Sequence, residues 1–264
     1  MANIIFCATD FYLKGGYRSY VDFFKLVDLA GYPIIPVSEI DPDSDNTYIF
    51  TPANAETING WPNAKAEIIL WQLEWMLTDE HNTPPGVTRV WASDAWFAKD
   101  RAYEYVPIGS DIRLNTVGSN FPLKNVFDVS LLSYQTPRRQ VVTRQLLDKG
   151  LVLAPVSGLE GIRRSLTLVQ SRAMVHVHQH DNVPGVAPLR WALAAAHGLP
   201  LISESVRDYG IFDYRYMMQS RYDTLADFVK SVVRDEHIMQ DYAASLQRLL
   251  CEEYTFKKVI EQHV

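Results

Sequence analysis

The chain has 264 residues, 47% hydrophobic and 21% charged, the make-up of a globular protein with room for one large core or two of roughly 100–150 residues each. A formal net charge of −6 argues against a general nucleic-acid coat, which needs surplus Lys and Arg, and two cysteines, Cys7 and Cys251, are too few for a disulfide framework. The opening MANIIFCATDFYLKGG lacks a basic n-region and its apolar run is too short for a signal peptide or a membrane span, so a cytoplasmic protein without a membrane partner is expected.

Short apolar runs alternate with helical patterns along the chain, the signature of α/β units on largely parallel sheets. Ile4–Thr9 is a first strand, and Gly15-Gly16 leads into a helix over Arg18–Ala30 with Tyr20, Phe23, Phe24 and Val27 on one face. Tyr32–Val37, Thr47–Thr51, Glu67–Gln72, Arg89–Ala92 and Tyr103–Val106 are further strands, giving a first domain over 1–118. Gly118, Ser119, Asn120 and Pro122 then interrupt the pattern as a linker.

The second series, 119–222, repeats the first. Val126–Leu132 is a strand, Thr136–Gly150 a helix, Leu151–Pro155 a strand, Gly158–Ser171 a helix and Ala173–His178 a strand. A Pro/Gly-rich turn, a helix starting near Val186–Pro188 and closed by Gly198, and a last strand follow. From 223 to 264 the pattern is helical, two helices or one kinked one, with a return onto the first domain as one option.

Chemistry-bearing residues gather where strands end and helices begin. The helix start at Val186-Ala187-Pro188 offers backbone N–H groups to an anion, Pro188 suits a first helical turn, and Arg190 adds a fork of donors. At Ser133–Gln140, Arg138 and Arg139 open a second helix; they fit either an anion site or a helix capped by Thr136 with two solvated arginines. Arg163 opens a third helix, with the same two readings.

His176, His178 and His180 recur at every second residue, which on a strand points all three to one face. Ligands taken from one flat strand diverge at their tips, so no metal is expected; His178, His180 and Asp181 read instead as a polar rim, with His178 also a candidate base. Asp10, Glu74 and Asp94 each follow an apolar strand and are the carboxylate candidates for a base, in that order; helix capping is the competing role for Asp94. The loop carrying Gly15 and Gly16 lacks both the G-x-G-x-x-G spacing and a terminal Gly-Lys-Ser/Thr, so neither NAD nor ATP is indicated.

Gly185, Pro188, Arg190, Trp191, Ala194, Ala195, Gly198, Leu199, Pro200, Leu201 and Ile202, with Glu204 just beyond, together resemble the nucleotide-sugar domain of GT-B glycosyltransferases of the family-4-like kind. The resemblance implies two Rossmann-like domains facing a cleft, an acceptor domain first and a donor domain second. It implies no cofactor beyond a UDP- or GDP-linked sugar as substrate, and a metal-independent transfer to a hydroxyl. A hydroxylated base in phage-type DNA is among the acceptors implied, with Arg89, Lys99, Arg101, Arg113 and Lys124 as the basic residues that would meet DNA.

By the same resemblance Arg138, Arg139, Arg163 and Arg190 meet the diphosphate. Gly15 and Gly16 close over substrate, His180 and Asp181 rim the sugar side, and Gly185, Val186 and Ala187 lead into the helix start that cradles the diphosphate. Retaining members carry two glutamates where this chain has Gly185 and Leu193; Glu204 is the candidate replacement for the ribose contact. A degenerate GT-B-like binding protein fits that departure as well as an enzyme does.

Overall fold

The structure is a computed structural model and describes residues 3–9, 19–51, 60–73, 83–118, 125–132, 135–154, 159, 161–179, 188–208, 210–211 and 216–264. The chain forms two compact units, Met1–Ile108 with Phe256–Val264, and Gly109–Thr255. The first division therefore falls at Ile108, ahead of the linker signals at Gly118–Pro122, and the C-terminal helices are shared between the units.

In the first unit β1 (Ile4–Ala8), β2 (Ile34–Pro36), β3 (Thr47–Phe50), β4 (Glu67–Gln72), β5 (Arg89–Ala92) and β6 (Glu104–Tyr105) form one sheet in the order β2-β1-β3-β4-β5-β6. All pairings are parallel, for example Phe6 beside Ile49 and Ile49 beside Ile69. A parallel sheet is covered on both faces, which is why these strands are near-continuous apolar runs. One face packs Cys7, Tyr48, Phe50, Ile68 and Leu70 together.

On the other face α1 (Ser19–Ala30) brings Phe23 against Phe6 and Trp71. The last helix of the chain, α8 (Phe256–His263), sets Phe256 against Phe6, Phe23 and Trp71. Its other end lies at the β6 edge on the same face: His263 Nδ1 pairs with Glu104 at 3.0 Å and Arg89 donates to the His263 carbonyl at 2.6 Å. Between β5 and β6 lies α2 (Ala95–Arg101), capped by Asp94, whose carboxylate accepts from Phe97 N–H at 2.8 Å.

The second unit carries β7 (Phe127–Ser130), β8 (Leu153–Ala154), β9 (Ser171–His176), β10 (Leu201–Glu204) and β11 (Met218–Ser220), ordered β11-β10-β9-β7-β8 and again all parallel. Its helices are α3 (Pro137–Asp148), α4 (Gly161–Val169), α5 (Pro188–Ala196), α6 (Leu225–Val232) and α7 (Glu236–Arg248). Val142 and Leu146 of α3 and Leu225 and Val229 of α6 pack with Val129, Val175 and Ile202 of the sheet. The other core joins Trp191, Ala194 and Ala195 of α5 and Leu246 of α7 to Met174 and Leu201.

Helices therefore cover both faces, the doubly wound arrangement. Between α7 and α8 the chain makes a π-helical turn over Leu249–Glu253, and Ser110 ties that region together by donating from its backbone N–H to Leu250 O at 3.0 Å and from Oγ to Ala192 O at 2.7 Å.

Candidate functional site

In open α/β sheets ligands bind beyond the carboxyl ends of the strands, where successive strands are laid down on opposite sides of the first. In the second unit that switch lies between β7 and β9: the chain leaves β7, adds β8 on one side, then returns to add β9 and β10 on the other. The segments following β7 and β9 lead into α3 and α5, so the topology alone brings Arg138, Arg139, His176, His178 and Arg190 to one edge.

These side chains form one connected network. Arg138, at the second position of α3, lays its two terminal nitrogens on Glu204 of β10 at 2.7 and 2.6 Å, and its guanidinium stacks on Tyr222 with 3.7 Å to the ring centre. Tyr222 returns a hydrogen bond to the Arg138 carbonyl at 3.0 Å. Glu204 also accepts the His178 backbone N–H at 3.1 Å. A bidentate guanidinium–carboxylate pair is the strong form of a charge-assisted bond.

Arg139 is buried and donates from Nε to the Val177 carbonyl at 3.0 Å. The α3 start is capped by Thr136, which accepts from Arg139 N–H, with Pro137 in the first turn. On β9, His176 Nδ1 lies 2.5 Å from Arg190 Nη1, and the His176 and His178 rings meet edge to face at 5.2 Å. His178 donates from Nε2 to the Ser205 carbonyl at 3.0 Å.

Charge and burial set the state of the two imidazoles. Burial first, then the neighbouring guanidiniums of Arg190 and Arg139 and the His178 ring, hold His176 well below the usual histidine range. Burial also pulls His178 down, against the raising effect of its bond to Ser205 and of Glu204. Both shifts favour neutral rings, and a neutral His178 carries its proton on Nε2, the nitrogen that meets the Ser205 carbonyl.

The strand expected over Ala173–His178 runs instead from Ser171 to His176, with His176 buried in the sheet. β9 ends at His176, and His178 is held by Glu204 and Ser205 beyond it. Among the described residues no group of three or more His, Cys, Asp or Glu is placed to hold a metal ion. Glu204 and Arg138, expected as ribose and diphosphate contacts, pair with each other at 2.6 Å. Arg163 is exposed at the start of α4, which follows the edge strand β8, and stands apart from this network. Pro188 is buried at the start of α5.

Asp10, Gly15, Gly16, Glu74, His180, Asp181, Gly185, Val186 and Ala187 lie outside the described residues, as does Lys124. Asp94 is buried as the cap of α2. At the carboxyl edge of the first sheet the switch lies between β1 and β3, where the buried hydroxyls of Thr9 and Thr51 have no hydrogen-bond partner among the described residues. Neither was singled out by the sequence, in which a threonine ending a strand carries no distinguishing signal.

Three of the basic residues considered for DNA carry carboxylate partners, and Lys99 is exposed on α2. Arg89 pairs with Glu104 at 2.7 Å and Glu67 at 3.3 Å, Arg101 with Asp100 at 3.4 Å and Arg113 with Asp111 at 2.6 Å. No helix among the described residues is long and apolar enough to cross a membrane.

No protein-family model matches the chain, and no curated protein matches it. Among solved structures it is similar to TarM, with a TM-score of 0.55 and 10% identity over 92% of this chain and 57% of that one. It is likewise similar to a point mutant of S. aureus TarM in complex with Fondaparinux, alpha-GlcNAc-glycerol and UDP, with a TM-score of 0.56, 11% identity and the same 92% and 57% coverage. The chain thus spans 57% of the length of the structures it resembles. The likeness shows the fold, an α/β arrangement of Rossmann type with two parallel sheets.

Proposed function

We propose that the protein is a glycosyltransferase that moves a sugar from a UDP- or GDP-linked donor to a hydroxyl, binding the donor at the carboxyl edge of the second sheet. What carries the reading is the network of Arg138, Glu204, His178, His176 and Arg190 at the switch point of a sheet whose fold is glycosyltransferase-like. The UDP held by the S. aureus TarM complex supports a nucleotide donor.

Transfer breaks the bond between the anomeric carbon and the diphosphate oxygen and forms one to the acceptor oxygen, whose proton is taken up by a base or by the leaving diphosphate. The barrier lies in the charge that grows on that diphosphate. In this reading Arg190 and the N–H groups at the start of α5 meet it, with no metal required. The ion pairs on Arg89, Arg101 and Arg113 leave no observation in favour of DNA as the acceptor, so a hydroxyl on a small molecule or a sugar chain is preferred.

Incubation with a panel of nucleotide sugars and hydroxyl acceptors tests the reading through release of UDP or GDP. Arg190→Met should lower that release by ~100-fold, the scale of removing one donor aimed at developing charge. Absence of release with every donor, with no thermal shift by UDP or GDP, would refute it. A second reading, a binding protein without transfer, is favoured by Leu193, which is buried in the core where the resemblance places a ribose-binding glutamate. It predicts a thermal shift by UDP or GDP without release.

A further inference from the structure

His178 is fixed at three points just beyond the end of β9. Glu204 accepts its backbone N–H at 3.1 Å, its Nε2 meets the Ser205 carbonyl at 3.0 Å, and its ring lies edge to face with that of His176 at 5.2 Å. A carbonyl only accepts, so Nε2 carries the proton and a neutral ring keeps its lone pair on Nδ1. Nδ1 has no hydrogen-bond partner among the described residues, yet it is not sealed inside the protein as the Thr9 and Thr51 hydroxyls are.

The charged and titratable groups facing this ring are His176 on β9, Glu204 on β10, and Arg138 and Arg139 on α3. Burial is the largest influence and opposes a second proton on the ring, and the two guanidiniums act in the same direction. The Ser205 bond and Glu204 act against them without reversing the outcome. A base has to hold the proton that it takes, so this setting suits a fixed acceptor of hydrogen bonds better than a base.

We infer that Nδ1 of His178 accepts a hydrogen bond from a sugar hydroxyl of the nucleotide-sugar donor, which makes His178 a binding residue for a sugar and not the base of the transfer. This rests on the donor-site reading proposed above. Ionised diphosphate oxygens accept and do not donate, so they have nothing to offer Nδ1. The donor's remaining hydrogen-bond donors are sugar O–H groups and N–H groups of the nucleobase. Sugars flank a diphosphate on both sides, the ribose on one and the transferred sugar on the other, and the base lies one unit further out. His178 touches His176, which in turn lies 2.5 Å from Arg190 of the proposed diphosphate site, so a sugar is the nearer partner.

Calorimetric titration of the full chain tests the inference with UDP, with dideoxy-UDP, which lacks the ribose hydroxyls, and with UDP-glucose, UDP-galactose and UDP-N-acetylglucosamine, or with the matching guanine series. His178→Phe keeps a ring and removes the acceptor. Where the ribose is the partner, it should weaken UDP binding by about tenfold and leave dideoxy-UDP binding unchanged. Where the transferred sugar is the partner, UDP binding should stay unchanged and binding of a UDP-sugar should fall by about tenfold. His178→Asn, whose amide oxygen comes close to the Nδ1 position, should restore the lost affinity to within about threefold of the wild type.

An equal loss for every ligand, dideoxy-UDP included, or no loss for any, would overturn the inference while leaving the donor site standing. Failure of the wild type to bind any of these nucleotides would overturn both. Should His178→Phe not fold by circular dichroism, NMR of the wild type with isotope-labelled histidine decides. The His178 Nδ1 resonance must then move more with UDP than with dideoxy-UDP, or more with a UDP-sugar than with UDP, and equal movement or none contradicts the inference.

Discussion

Glu204 receives three hydrogen bonds, two from the Arg138 guanidinium and one from the His178 backbone, and the side chains of the ion pair are only 14% and 9% exposed. Breaking one partner of a buried pair leaves an uncompensated charge, so Glu204→Ala should destabilise the protein by about 3 kcal/mol. Urea denaturation measures this; an unchanged midpoint would show that the pair contributes little. The pair was not legible in the sequence, although both residues were singled out. They lie 66 positions apart, and their meeting depends on β9 and β10 being laid down on the side of β7 away from β8. Local spacing marked Arg138 as a cation at a helix start but carried no record of the carboxylate facing it. The Pro137 and Thr136 cap was legible, because a cap is written in adjacent residues.

At the scale of elements, the strands and helices follow the sequence closely where hydrophobic periodicity is strong. β4 and β5 match their expected limits residue for residue, and α1 starts one position after Arg18. Expectations ran long at strand ends, as at Val126–Leu132 against Phe127–Ser130, since apolar residues continue into segments that no longer pair. β11 was missed altogether: Met218–Ser220 is three residues long and edges the sheet, too short for an alternating pattern to register.

Contacts between helices were equally hidden. His197, just past α5, pairs through Nδ1 with the Leu193 carbonyl at 2.8 Å and through Nε2 with Ser165 of α4 at 2.9 Å. Nδ1–H donates to the carbonyl, and in the neutral ring that burial favours Nε2 accepts from the serine hydroxyl. Burial pushes its pKa from 6.5 down to about 4. A histidine depressed in the folded state favours folding fully only above its unfolded pKa, and that stability is lost as pH falls from about 6.5 toward 4. His197 alone should therefore cost about 2 kcal/mol at pH 5 relative to pH 8. Urea midpoints at the two pH values check this: the drop should shrink in His197→Gln, and equal midpoints in the wild type would contradict the buried neutral ring.

At the scale of the molecule, alternation of strands and helices gave the α/β class, and parallel sheets of six and five strands bear that out. Unit boundaries were less legible. Ile108, which ends the first unit, stands between Pro107 and Gly109, but the longer interruption at Gly118–Pro122 set the expected boundary; α8 belongs with the first unit through Phe256, a residue whose partners Phe6, Phe23 and Trp71 lie far away in sequence. The central claim concerns one edge of one sheet, and amide hydrogen exchange on adding UDP or GDP tests it most directly. The account predicts new protection concentrated at the end of β9 around His176–His178 and at the start of α5 around Leu189–Ala192. Protection confined to the first unit, or none with either nucleotide at saturating concentration, would contradict it.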